Sequence, residues 1–154
     1  MKLAAKLAVT LILLSPLQLS LADTTMDILR EKVAADKKLL VAANMELTDE
    51  EAKRFWPIYE SKQQELAKIN QRVVALIKSY AADYSARTLT DDKAAALTKE
   101  LIAIQQAEVD VTKKYVPKLE KALSKIKVAR YLQLENKIRA ALHYELAEGI
   151  PLAE

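Results

Sequence analysis

The sequence predicts an all-α fold, a four-helix domain built on one long helical hairpin whose helices bend at two internal prolines. Three observations predict it. Of 154 residues one is glycine and none is cysteine, and tight β-hairpin turns draw on glycine at positive φ, so a sheet-rich fold is disfavoured. Hydrophobic residues make up 51% and charged residues 29% of a chain rich in Ala, Leu, Lys and Glu, which are strong helix formers. Apolar residues recur with the period of a helix over most of the length.

Residues 1–22 read as a secretory leader. Lys2 and Lys6 give a positive start, Leu7 to Leu14 a short apolar run, and Ser20-Leu21-Ala22 a small-x-small cleavage site. Cleavage after Ala22 leaves 23–154 as a single all-helical domain and places the protein in the periplasm. The apolar run falls short of the roughly 20 residues that a membrane span needs, Pro16 interrupts its continuation, and no later stretch is apolar enough to cross a bilayer. Without Lys2 and Lys6 the 24 basic residues become 22 against 21 acidic ones, a net charge of +1. That balance gives little support to a nucleic-acid role, which normally needs a concentrated basic face. Without cysteine, no disulfide supports an exported fold, so core burial and association must supply the stability.

The first helix is expected from Thr25 to Ala43, with Ile28, Leu29, Val33, Leu39 and Leu40 as its apolar members. The second runs from Asp49 to Tyr84, where Phe55, Tyr59, Leu66, Ile69, Val73, Leu76, Ile77, Tyr80 and Tyr84 share one arc. The third, Asp91 to Leu123, places Leu97, Leu101, Ile104, Val111, Tyr115 and Leu119 on one face. The fourth, Lys125 to Glu148, uses Tyr131, Leu134, Ile138, Ala141, Leu142 and Glu145 and stops at Gly149, with Pro151 beyond. Pro57 and Pro117 fall inside the two long helices. Each removes a backbone hydrogen bond, and so either bends its helix or marks a break.

One phrase recurs at three helix starts: Leu47-Thr48 with Ala52, Leu89-Thr90 with Ala94, and Leu123-Ser124 with Val128. The hydroxyl caps the first turn, while the preceding Leu staples onto the apolar residue at N4. Glu51 completes a capping box in the first, whereas Lys93 and Lys127 take that place in the others and oppose the helix dipole. The first and third phrases extend further: LTDEEAKRF and LSKIKVARY share the cap, a small apolar residue, Arg54 or Arg130, and an aromatic. Either duplication of a helical hairpin or coincidence in an Ala/Lys-rich chain accounts for this.

With these stretches the sequence resembles the Spy/CpxP group of periplasmic proteins, whose twice-occurring LTxxQ phrase opens helices of an all-α fold. LTDEE at Leu47 and LSKIK at Leu123 are the matching segments; Glu51 and Lys127 stand where the group has Gln, and Ser124 replaces Thr. The resemblance implies an ATP-independent chaperone or a stress-sensor accessory protein. In that group it is often a dimer of bent helices whose concave face holds unfolded clients. The chain contains no glycine-rich phosphate loop, and no cofactor is expected.

A client or dimer surface needs apolar residues beyond the main core faces. On the third helix Ile102, Val109 and Val116 recur every seven residues away from the main face, and on the second Trp56, Ala67, Val74 and Ala81 form a similar flank. They read as a wide buried arc or as a surface covered by another chain; Trp56 in particular reads as a core residue or as an interface anchor. Arg54 and Arg130 join this candidate surface. Lys113, Lys114, Lys118, Lys121, Lys125, Lys127 and Arg130 cluster against the single acid Glu120, either as a solvated helix end or as an attraction for acidic client segments. Glu108 lies within an apolar face and is expected to reach Lys62.

Enzymatic chemistry has little to draw on. With no cysteine and His143 as the lone histidine, no catalytic residue is assigned. A transition-metal sensor and a regulatory protein for one envelope partner are the alternatives to a chaperone. The sensor would have to draw on His143, Met26 and Met45, a sparse ligand set, and no metal-binding residue is assigned.

Overall fold

The computed structural model describes residues 35–153. The leader with its cut after Ala22, and Ile28, Leu29 and Val33 of the first expected helix, lie outside the described residues. The chain divides between Leu39 and Leu40 into two compact units. Of the first, residues 35–39 are described and are helical; the second carries the core and the long helices.

Among the described residues there are four helices and no strand: α1 over 35–45, α2 over Asp49–Ala86, α3 over Asp91–Ala122 and α4 over Lys125–Glu148. The all-α hairpin fold is therefore as its periodicity implies. α2 has 38 residues, roughly 57 Å at 1.5 Å per residue. Both long helices continue unbroken through their prolines, Pro57 and Pro117, so neither marks a break.

All three hydroxyl caps form. Thr48 Oγ1 accepts from the Glu51 amide at 3.3 Å, Thr90 Oγ1 from Lys93 at 3.4 Å and Ser124 Oγ from Lys127 at 3.3 Å. Only at Thr48 does a capping box close, with the Thr48 amide donating to Glu51 Oε2 at 2.9 Å. Two positions that favour glycine are filled without it: Glu46 before α2 and Arg87 after it have φ of 48° and 54°. At Arg87 the turn is a Schellman motif, in which the Thr88 amide donates to Asp83 O and the Arg87 amide to Tyr84 O. Gly149, where α4 ends, stays right-handed at φ −86°, so its freedom is not used.

α2 and α3 pair antiparallel. Ion pairs Lys114–Glu65, Arg72–Glu100 and Lys93–Asp83 bridge the two helices in this register, stepping from the middle of the hairpin to its tip. Two apolar clusters form the core. At the open end Val41, Met45, Phe55, Tyr59, Leu119, Leu123, Val128 and Tyr131 come together from all four helices. Along the hairpin Ile69, Ile104, Val111 and Tyr115 pack with Leu66, Val73 and Leu76. In α1 the buried side chains are Val41 and Met45, one turn apart, while Leu40 is exposed; α1 also runs two residues past Ala43.

Candidate functional site

Three features stand out on this scaffold. The first joins the two helix starts that carry the LT/LS phrase. Lys127 Nζ donates to Glu46 O at 2.8 Å and ion-pairs with Glu51 Oε2. Arg130 reaches Glu46 at 3.1 Å. Lys127 and then the Thr48 amide hold the Glu51 carboxyl below its ordinary 4.5. Glu51 and Lys127, the fifth residues of the two phrases, therefore meet as opposite charges, and the unfavourable lysine in the first turn of α4 gains a partner from α2.

The second is a buried polar pin between α2 and α4. Lys62, 2% exposed, directs Nζ at Glu135 Oε2 (3.3 Å) and the Tyr131 hydroxyl (3.4 Å), and lies over the Tyr131 ring. Gln63 Nε2 donates to Glu135 Oε1 at 3.2 Å. Burial, then the charge of Glu135, pushes the Tyr131 hydroxyl far up, and so keeps it a neutral hydrogen-bonding group. The expected Glu108–Lys62 pair is not formed. Glu108 faces Arg139 at 3.8 Å instead, and Lys62, one heptad after the Phe55 whose ring packs on Tyr131, points at α4. That spacing was the signal in the sequence for its burial.

The third is an apolar groove of about 580 Å³ between the distal halves of α2 and α3, walled on its third side by the end of α4 and the residues after it. Val73, Leu76, Ile77 and Tyr80 line it from α2, Leu97, Leu101 and Ile104 from α3, and His143, Leu146 and Ile150 from the α4 side. Its size falls in the range of roughly 300–1,000 Å³ typical of ligand sites. The groove exists because the first half of α4 packs and the second does not. Val128 and Tyr131 are buried, whereas every residue from Arg139 to Ala153 is exposed, Leu142 included. Leu97 and Leu101, read as core from their spacing, are consequently left as a wall, Leu101 at 45% exposure.

The residues singled out as a client or dimer surface lie elsewhere. Trp56 is half-buried at the edge of the larger cluster, its ring edge-on to Phe55 (5.0 Å) and Tyr59 (5.3 Å). Val74 and Val116 are half-buried, while Ile102, Val109, Arg54 and Arg130 are exposed. None of these seven lines the groove; Arg130 lines a smaller hollow of about 250 Å³ with Glu46 and Lys137. The basic run is partly neutralised: Lys114 and Tyr115 both donate to Glu65, Lys118 lies over the Tyr115 ring, and Lys127 and Arg130 pair with Glu51 and Glu46. Burial, then Glu65, pushes the Tyr115 hydroxyl up to about 12.

Among the described residues no three His, Cys, Asp or Glu side chains gather to hold a metal ion, and no helix is long and apolar enough to cross a membrane. No known protein family, curated protein or solved structure matches this chain.

Proposed function

We propose that the protein is a periplasmic chaperone-like or envelope-stress adaptor protein, exported by its leader, that binds apolar stretches of unfolded or partner polypeptides without ATP. The observation that carries the reading is the open apolar groove over Leu76, Leu97, Leu101 and Ile104, since exposed apolar concavities of this kind mark binding surfaces. The resemblance of LTDEE and LSKIK to the Spy/CpxP phrase supports the same class. Ile102 and Val109, exposed seven residues apart on α3, are offered as the contact of a homodimer.

The energetics suit a binder that releases without fuel. Three Leu-sized side chains seated in the groove gain about 5–9 kcal/mol, from which association takes at least about 4 kcal/mol. The balance, at most about 5 kcal/mol, corresponds to weak, rapidly reversible binding, roughly 0.2 mM or weaker.

The test is suppression of aggregation, followed by light scattering of a heat-unfolded enzyme with this protein at equimolar ratio. Suppression is expected, and Leu101→Asp, an exposed position, should remove most of it while far-UV circular dichroism is unchanged. Undiminished scattering at equimolar protein eliminates the chaperone reading.

A further inference from the structure

Pairing takes Lys114, Lys127 and Arg130 out of the basic run around the α3–α4 corner, and much of what it leaves gathers on one side. Lys114, Lys118 and Lys121 are spaced four and three residues apart and so share one line of α3. Lys118 and Lys121 are exposed, as is Lys125 at the start of α4, and none of the three forms an ion pair among the described residues. Arg54, exposed and equally without an ion pair among the described residues, joins them from α2. It stands three turns before Glu65, to within about 20°, and Glu65 is the residue that holds Lys114. Because α2 and α3 are antiparallel, the steps from Glu65 to Arg54 and from Lys114 to Lys121 both lead towards the open end of the hairpin. Glu120 does not offset this charge, since it lies roughly 100° round the helix from Lys121 and roughly 160° from Lys118. Beside Lys125, Ile126 is 82% exposed, more than any other large apolar side chain of α2, α3 or α4.

We propose that this corner docks on the surface of a bilayer that carries anionic lipid, with Arg54, Lys118, Lys121 and Lys125 among the headgroups and Ile126 entering the boundary between headgroups and acyl chains. Unpaired cations around an isoleucine left in water gain most from a partner that is anionic at its face and apolar just beneath, which a bilayer is and an acidic peptide or a nucleic acid is not. The lysine stems are long enough to keep their ammonium groups at the headgroups while the isoleucine goes deeper. None of the five residues lines the groove or the smaller hollow, so they suit a broad surface rather than a single strand that needs a cleft. The groove belongs to the distal half of the hairpin. Docking at the corner therefore leaves it open, and the two interactions are independent.

The experiment uses the chain from Asp23 onward, free of the apolar leader, and vesicles of either equal parts phosphatidylglycerol and phosphatidylcholine or phosphatidylcholine alone, with bound protein read by co-sedimentation. Binding to the anionic vesicles only is expected, and raising the salt from about 0.05 M to about 0.5 M should weaken it at least tenfold, because exposed charges are screened. Each Lys or Arg at such a surface strengthens binding roughly fivefold, so Lys121→Glu/Lys125→Glu should weaken it at least tenfold. Lys78→Glu/Lys99→Glu, the same change of charge at exposed positions nearer the tip of the hairpin, should weaken it less than threefold. Ile126→Ser should weaken it at least fivefold, and far-UV circular dichroism should be unchanged in all three variants, whose altered side chains are exposed. Equal loss in the two charge-reversal variants, or equal binding to both kinds of vesicle, overturns the assignment of this corner. Ile126→Ser binding as tightly as the unaltered chain overturns the bilayer as partner, as does displacement from the vesicles by polyglutamate or duplex DNA at lower total charge than the lipid. No sedimentation with either vesicle overturns the docking altogether and leaves the polypeptide-binding reading to its own aggregation assay.

Discussion

Replacing Lys62 by methionine removes one partner from a charge pair that the fold has taken almost wholly out of water. Lys62 is 2% exposed and the Glu135 side chain 11%. At 3.3 Å the pair attracts with about 5 kcal/mol at an effective dielectric constant of 20, and desolvation of the two ions offsets much of that. Breaking a buried pair typically costs about 3–5 kcal/mol, because the remaining charge is left uncompensated. Here Gln63 Nε2 still donates to Glu135 at 3.2 Å, which places Lys62→Met near the low end, about 3 kcal/mol. Methionine keeps most of the aliphatic volume, so a cavity contributes little. The double variant Lys62→Met/Glu135→Leu removes both charges and should recover to within about 1 kcal/mol of the unaltered protein. Urea unfolding reads this directly: Trp56 packs against the same cluster, and its fluorescence can be compared with far-UV circular dichroism and extrapolated linearly. A single variant losing less than about 1 kcal/mol, or a double variant as unstable as the single one, would refute the account of α4 as pinned by this pair.

Three further outcomes are expected from local geometry. Thr48→Ala should cost about 1–2 kcal/mol, since it removes a cap and opens the capping box, whereas Thr90→Ala, with a cap but no box, should cost less in the same unfolding assay. Arg87→Gly should stabilise by roughly 0.5–1 kcal/mol, because φ of 54° is strained for a residue with Cβ, partly offset by the freer unfolded glycine; calorimetry would show the melting temperature rising by a few degrees. Folding lowers the pKa values of Glu51, Glu65, Asp83 and Glu100, in each case first through a hydrogen bond to a Lys or Arg side chain. Their contribution is therefore present above the ordinary carboxylate values of 4.5 and 3.8 and is lost as pH falls through the depressed folded ones. The urea midpoint should fall below about pH 4.5, and Glu51→Gln should show a shallower acid decline than the unaltered chain.

Much of the fold was legible because its determinants are local. The starts of α2, α3 and α4 follow from Thr48, Thr90 and Ser124, whose hydroxyls cap amides three residues away, and the core faces follow from a 3.6-residue period that needs no partner to be read. The candidate site was not legible in the same way. Leu97, Leu101 and Leu142 carry the spacing of core residues, and spacing cannot say whether the opposite helix arrives.

What the sequence by itself determined is the set of helices, their caps and the apolar side of each, since these depend on interactions within one or two turns. What only the tertiary structure decided is where α4 stops packing, that Lys62 meets Glu135 rather than Glu108, and that Glu51 meets Lys127 across two helix starts. These rest on the angle and register between helices, set by the fit of the whole core at Phe55, Leu119 and Tyr131; an apolar face becomes a groove or a core according to what comes to lie against it.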